Sequence, residues 1–147
     1  MNRVLYCNCA DAWRDKAYAM LRFTIGLAFF YHGYVKVFGM GMENVTDFFA
    51  NYGIPAANLF AYLVSYGELL GGLAIMLGFL THWVSKANIA IMLGAIYYVH
   101  FGVEGGWLGG YGADGGYEYA LLLLVASIYL VTVGSGKYSI DDLLKSK

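Results

Sequence analysis

The sequence predicts an all-α integral membrane protein, a four-helix bundle with a short interfacial amphipathic helix between helices 1 and 2. Two properties of the whole chain indicate this class: 60% of its 147 residues are hydrophobic, and the mean hydropathy is +0.57, both high for a soluble domain. The third is an apolar run at 59–80, which as a helix is about 33 Å long and matches a hydrocarbon core of roughly 30 Å. We expect a single membrane domain, 1–147, and the net charge of −1 gives no reason to expect nucleic acid as a partner.

Residues 17–38 form the first predicted transmembrane helix, because this segment is too long for the apolar core of a signal peptide. Residues 44–52 repeat apolar side chains at i, i+3, i+4 and i+7, the spacing of an amphipathic helix, which Gly53 and Pro55 end. Because this helix is short and carries acidic residues on its polar face, we expect it to lie in the membrane interface.

The second half of the chain predicts the other three transmembrane helices, at 59–80, 86–101 and 118–133. Since only 81–85 separates the second helix from the third, we expect these two to form an antiparallel hairpin. The segment 102–117 contains eight glycines together with large aromatic residues. It is therefore predicted to be a loop that folds over the end of the bundle as a lid.

Basic residues predict the orientation. Four crossings place the N-terminus, the 81–85 turn and the C-terminal tail on one side, which carries most of the Lys and Arg residues. By the positive-inside rule, both tails are expected to be cytoplasmic. Cys7 and Cys9 then lie in a reducing compartment, where free thiols are the expected state. In the C-terminal tail, Ser139 and the acids that follow it predict a short capped helix.

Glu68 lies near the middle of the second helix, where an ionised carboxylate costs about 2.5–3.5 kcal/mol on insertion scales. Counting residues from the cytoplasmic face at about 1.5 Å each places it level with Phe29 and one turn from His32. Arg22 and Lys36 each lie about 10 Å away by the same count. We therefore predict that Glu68 is paired mainly with His32 and only indirectly with Arg22.

Ionisable residues at neighbouring depths predict a polar pocket in the outer half of the bundle. Three interpretations are open: the groups bond one another and only hold the bundle together, they bind a quinone or another small redox molecule, or they bind a metal. We expect no metal, because no helix has the HxxH or ExxH spacing. The members are His32, Lys36, Glu68, His100 and Glu118.

Several motifs together resemble the DoxX family of bacterial and archaeal membrane proteins. They are Arg22 followed by His32-Gly33-x-x-Lys36, Gly53-Ile54-Pro55, Glu68-x-x-Gly71-Gly72, His100 before a glycine-rich loop, Gly115-Gly116-Tyr117-Glu118-Tyr119, and Gly134-x-Gly136-Lys137-x-Ser139-x-Asp141. The resemblance spans 22–141. It implies a multi-pass protein of the prokaryotic inner (plasma) membrane, associated with quinone-linked oxidoreductase systems that serve thiosulfate oxidation, thiol stress or the detoxification of catechols.

Two functional hypotheses follow. In the first, the chain is a component of a membrane oxidoreductase and binds a quinone. Glu68 or Glu118 is then the catalytic proton acceptor, and the ligand-binding residues are Arg22, His32, Lys36, His100 and Tyr117. In the second, the chain does no chemistry and anchors or completes a larger membrane complex. The sequence has no haem-attachment motif and no cysteine set for an iron–sulfur cluster, so the first hypothesis requires a partner subunit that carries electrons.

Overall fold

The computed structural model describes residues 9–100 and 117–145, and in this part of the chain it contains helices and no strand. The all-α prediction is confirmed. The helices are α1 Cys9–Tyr34, α2 Met42–Asn51, α3 Ala57–Leu77, α4 Thr81–Gly94, α5 Glu118–Val133 and α6 Ile140–Lys145. Two π-helical segments, Val35–Met40 and Ala95–His100, extend α1 and α4. The predicted glycine-rich loop lies outside the described residues, apart from Tyr117.

The turn between α3 and α4 differs from the prediction, because α4 begins at Thr81 and not at residue 86. α3 ends at Leu77, so the turn consists of residues 78–80. Asp141 from the tail explains the earlier start: its Oδ1 accepts a hydrogen bond from the Leu80 amide at 3.0 Å, and its Oδ2 accepts one from the Thr81 amide at 3.4 Å. A carboxylate at this position satisfies amides that a helix N-terminus leaves unpaired.

Among the described helices, Ala57–Leu77 alone is long and apolar enough, by length and composition, to cross a membrane. α5 is apolar but has 16 residues, which is short for a span of about 20. The amphipathic helix predicted at 44–52 is present as α2, and its buried residues Val45 and Phe49 pack with Ala61 of α3. The bundle of four transmembrane helices remains a prediction.

Glycines bring the backbones of α1 and α3 into close contact. A β-carbon added to Gly33 would collide with the backbone of Leu69, and one added to Gly26 would lie 2.6 Å from the backbone nitrogen of Met76. Gly72 on α3 is equally close to the backbone of α1. Small residues at such positions allow membrane helices to approach until their backbones touch. The two helices therefore pack antiparallel in one register.

The C-terminal tail is tied to Tyr18 and Arg22, near the middle of α1. The guanidinium of Arg22, which is 2% exposed, donates to the carbonyl oxygen of Ser135 and, at 2.7 Å, to that of Tyr138. Tyr18 donates to the carbonyl of Gly134. Together with the Asp141 contacts, these bonds gather α1 up to Arg22, the α3–α4 turn and residues 134–142 at one end of the molecule, which we call the tail end.

Local contacts complete the tail end. Ser139 Oγ accepts a hydrogen bond from the Asp142 amide at 3.1 Å, so the predicted capped helix is confirmed as α6.

At the surface, Lys137 Nζ lies 2.8 Å from Asp15 Oδ2. This hydrogen bond lowers the pKa of Asp15 and raises the pKa of Lys137. The pair is therefore lost only when acid protonates Asp15 or strong base neutralises Lys137, and as an exposed pair it adds little stability.

We expect Gly33→Ala to lower the melting temperature of the detergent-solubilised protein, because overpacking a close interface costs roughly 1–3 kcal/mol. Gly94→Ala is the matched control: a β-carbon at Gly94 meets nothing within 4 Å, and alanine favours a helix over glycine by about 0.5–1 kcal/mol. Equal melting temperatures of the two variants would contradict the close packing of α1 on α3.

Candidate functional site

A cavity of about 480 Å³ lies between α2, α3 and α4. Its walls are mainly aliphatic and aromatic, and its charged lining residues are Lys36 and Glu68. The apolar face of α2 contributes Phe49 to one wall, and the facing surface of α4 contributes Ile91 and, from the π-helical segment, Tyr98. Such a cavity suits a small ligand with an apolar body and one polar edge.

Lys36 and Glu68 form an ion pair in the wall of this cavity. The Nζ atom of Lys36 donates to Oε2 of Glu68, and the side chains are 22% and 4% exposed. A buried carboxylate without a partner would be strongly destabilising, so the contact with Lys36 compensates the burial of Glu68. An ammonium has three donors and a carboxylate two acceptor oxygens, so this one contact leaves both groups able to bind a ligand.

The prediction that His32 is the main partner of Glu68 is wrong. The Nε2 atom of His32 lies 3.3 Å from the hydroxyl of Tyr119 on α5, and His32 is exposed. His32 and Tyr119 still lie near enough to interact with the charge of Glu68. The pairing partner is Lys36.

The register of α1 on α3 explains how Lys36 comes within reach of Glu68. The contact of Gly33 with Leu69 places Glu68 level with the residue after Gly33, five residues further along α1 than Phe29, which is a shift of about 7.5 Å. His32 and Lys36 then each lie two residues from the level of Glu68, about 3 Å along the axis, so the direction of the two side chains decides which one is the partner. The π-helical segment that contains Lys36 also changes the direction of its side chain relative to a regular α-helix, and such segments are frequent at functional sites.

Three of the other predicted site residues, Arg22, Tyr117 and Glu118, do not line the cavity. Arg22 is bound to the tail end, and Tyr117 and Glu118, at the beginning of α5, are absent from the cavity lining. The side chain of His100 lies outside the described part of the chain. Among the described residues, no group of three or more His, Cys, Asp or Glu side chains could hold a metal ion.

Sequence reasoning missed the apolar walls of the site. Phe48 and Phe49 on α2, Leu63 on α3 and Ile91 on α4 line the cavity, but apolar residues are too common in this sequence to single out. The apolar face of the amphipathic helix was the available signal. That face must be buried against another surface, and in the structure it covers one side of the cavity.

The chain matches the DoxX family model over residues 17–101. It is 32% identical over 122 residues to "Putative oxidoreductase CatD" of Bacillus subtilis, an alignment that covers 83% of this chain and 82% of that protein. It is 31% identical over 136 residues to "Uncharacterized membrane protein Rv3486" of Mycobacterium tuberculosis, covering 86% of this chain and 80% of that protein. No solved structure gives a significant match.

A double-mutant cycle tests the ion pair. We expect Lys36→Met to lower the free energy of unfolding by about 3–5 kcal/mol, because it leaves Glu68 buried without a partner. Adding Glu68→Met to this variant should recover most of the loss, since no charge then remains. His32→Ala is the control and should stay close to wild type. Additive losses in the cycle, or a loss in His32→Ala as large as that in Lys36→Met, would contradict the pairing.

Proposed function

Because this chain belongs to the DoxX family of membrane proteins, we propose that it is a subunit of a quinone-linked oxidoreductase system. It binds a quinone, or a similarly small redox molecule, in the cavity beside Lys36 and Glu68. The observation that carries the proposal is an apolar cavity of about 480 Å³ with one ion pair in its wall. Sites for small ligands have this volume and this ratio of apolar to polar groups.

A quinone matches the cavity chemically. In this proposal its flat ring would pack between Phe49 and the apolar side chains of α4, where burial of apolar surface contributes about 25 cal/mol per Å². The ammonium of Lys36 can donate to a carbonyl oxygen of the quinone, and the carboxylate of Glu68 can accept a hydrogen bond from a hydroxyl of the quinol. Conversion of quinone to quinol takes up two electrons and two protons. Glu68 would exchange these two protons one after the other, returning to its first protonation state by exchange with the solution between the two transfers, and a partner protein would exchange the electrons.

The ion pair itself supports a second function. Lys36 and Glu68 compensate each other's charge by direct contact, so the pair needs no ligand to be tolerated in the interior. In this alternative, the chain is a non-catalytic subunit that anchors or completes a larger membrane complex, and the buried pair serves the specificity of helix packing. The ligand experiment below separates the two functions.

We further propose that the chain crosses the plasma membrane of a prokaryote four times, with both termini in the cytoplasm. α4 and its π-helical extension form a continuous helical run, Thr81–Gly94 and Ala95–His100, which at 20 residues is long enough to span. The tail end carries Lys137 and the basic residues at the beginning of α1, and the last residue of α6, Lys145, follows it in the chain. By the positive-inside rule this is the cytoplasmic end.

Cysteine labelling tests the topology in a background in which Cys7 and Cys9 are replaced by serine. We expect Asn44→Cys, at the exposed beginning of α2, to react with a membrane-impermeant maleimide added to spheroplasts. Lys145→Cys, in α6, should react only after the membrane is permeabilised. Reaction of both positions from the same side of the intact membrane would contradict four crossings with this orientation.

Calorimetric titration with a short-chain benzoquinone tests the ligand. We expect saturable binding by the wild type and a loss of about tenfold to a hundredfold in affinity for Lys36→Met or Glu68→Gln, because each removes a charge-assisted hydrogen bond of about 1.5–3 kcal/mol. Gly67→Leu should also weaken binding, since a β-carbon at Gly67 already lies 3.5 Å from Ile91 Cδ1.

His32→Ala is the matched control for this titration, because His32 does not line the cavity and its variant should bind as the wild type does. A benzene derivative without ring oxygens reports the background of partition into detergent. If the wild type shows no saturable binding above this background, the quinone site is excluded and the anchoring function is favoured.

A further inference from the structure

Five buried side chains carry hydroxyl or amide groups that no described part of the protein satisfies. They are Ser65, Thr81, Ser85, Asn88 and Ser127, all 0% exposed. Their side-chain polar atoms make no hydrogen bond within residues 9–100 and 117–145. A buried polar group without a partner destabilises the fold, and native proteins leave few of them. Water is the partner that fits such small interior groups.

Three of these side chains form a column on α4. Thr81, Ser85 and Asn88 belong to the buried face of the helix and follow one another at the spacing i, i+4, i+7. Side chains at this spacing stand one above the other, separated along the axis by about 6 Å and 4.5 Å. A water molecule that bridges two polar groups spans about 5.5 Å, because each of its hydrogen bonds is about 2.8 Å long.

α5 adds Ser127 to this column. The Nδ1 atom of His82 lies 3.0 Å from the carbonyl oxygen of Val131, which sets the register of α5 against α4. We count the axial distance from this contact, moving away from the tail end, at about 1.5 Å per residue. Ser85 then lies at about 4.5 Å, Ser127 at about 6 Å and Asn88 at about 9 Å. Ser127 therefore lies at a depth between Ser85 and Asn88.

The column ends within about one helical turn of Glu68 on α3. A β-carbon on Gly71 would lie 3.6 Å from Asn88 Oδ1, so the amide of Asn88 borders α3 at this depth. Glu68 is three residues before Gly71, about 4.5 Å further from the tail end. It belongs to the same buried face of α3 as Ser65.

The other end of the column reaches the tail end. The Thr81 amide is bonded to Asp141 Oδ2 at 3.4 Å, and Asp141 is half-exposed. The series of polar groups thus begins at an accessible carboxylate, passes Thr81, Ser85 and Asn88, and finishes at Glu68 in the cavity wall.

We propose that the column of Thr81, Ser85, Asn88 and Ser127 holds a file of water molecules, which conducts protons between the solution at the tail end and Glu68. This inference rests on the proposed function, because a quinone reaction in the cavity needs protons and Glu68 is only 3% exposed. A hydronium ion at the tail end donates one proton to the first water. At each water one O–H bond forms and another breaks, and the last O–H bond forms on the carboxylate of Glu68. No electron moves along the file, and the hydroxyl and amide groups only hold the waters in place.

The test uses the full chain reconstituted in lipid nanodiscs without any quinone, so that its outcome does not depend on ligand binding. After a rapid drop in pH, time-resolved infrared spectroscopy follows the carboxylic acid band that Glu68→Gln removes. This assignment separates Glu68 from Lys36 and Tyr98, which line the same cavity, and from the neighbouring His32 and Tyr119. We expect the double variant Ser85→Ala/Ser127→Ala to slow protonation of Glu68 at least tenfold. Asn88→Leu should slow it as much or more.

Thr132→Ala is the matched control, since it removes an exposed α5 hydroxyl that is bonded to Tyr129 of its own helix at 2.8 Å; this variant should protonate Glu68 as fast as the wild type. Water-edited solid-state NMR gives an independent readout and should show rapid polarisation transfer from water to the side chains of Asn88 and Ser127. The absence of this transfer, equal protonation rates in all variants, or a Glu68 that stays ionised at every pH at which the protein is folded would each overturn the proposal.

Discussion

The contact between α1 and α3 is the constraint on which the rest of the structure depends. Lipid tails are as apolar as leucine, so membrane helices associate through close packing and polar contacts more than through the hydrophobic effect. Gly26, Gly33 and Gly72 provide that packing, because any side chain there would collide with the opposite backbone. The register that they impose places Lys36 beside Glu68, and a displacement of one turn would leave a buried carboxylate without its partner.

Buried charges are compensated by different groups at the tail end and at the cavity. Arg22 donates to carbonyl oxygens that follow the C-terminus of α5, whereas Asp141 accepts from amides at the N-terminus of α4. Both charges have the sign that the adjoining helix dipole favours. Backbone groups thus compensate these two side chains and hold α1, α4, α5 and the tail together, whereas at the cavity the compensation comes from a second side chain, which a ligand can compete for.

Under the proposals above, the two kinds of charge compensation serve different functions. Charges bound to backbone groups at a helix end are locked in place, so Arg22 and Asp141 suit a structural role. The pair of Lys36 and Glu68 borders an apolar cavity and has spare hydrogen-bonding capacity. Between the tail end and the cavity lie buried hydroxyl and amide groups without partners among the described residues. Such groups destabilise a core whose role is only structural. They are expected where water or protons must enter.

The sequence by itself determined the helical class, the amphipathic helix α2, the capped helix α6, the bounds of α5 and the resemblance to the family, because each depends on residues that are near one another in the chain. It also singled out Lys36 and Glu68 as ionisable groups of the apolar segments. Only the tertiary structure decided that these two are paired, that Arg22 binds the tail, and that α4 begins at Thr81. These outcomes depend on how closely glycines let two helices approach and on contacts such as Asp141 with Thr81, across 60 positions, and neither leaves a periodic pattern in the sequence.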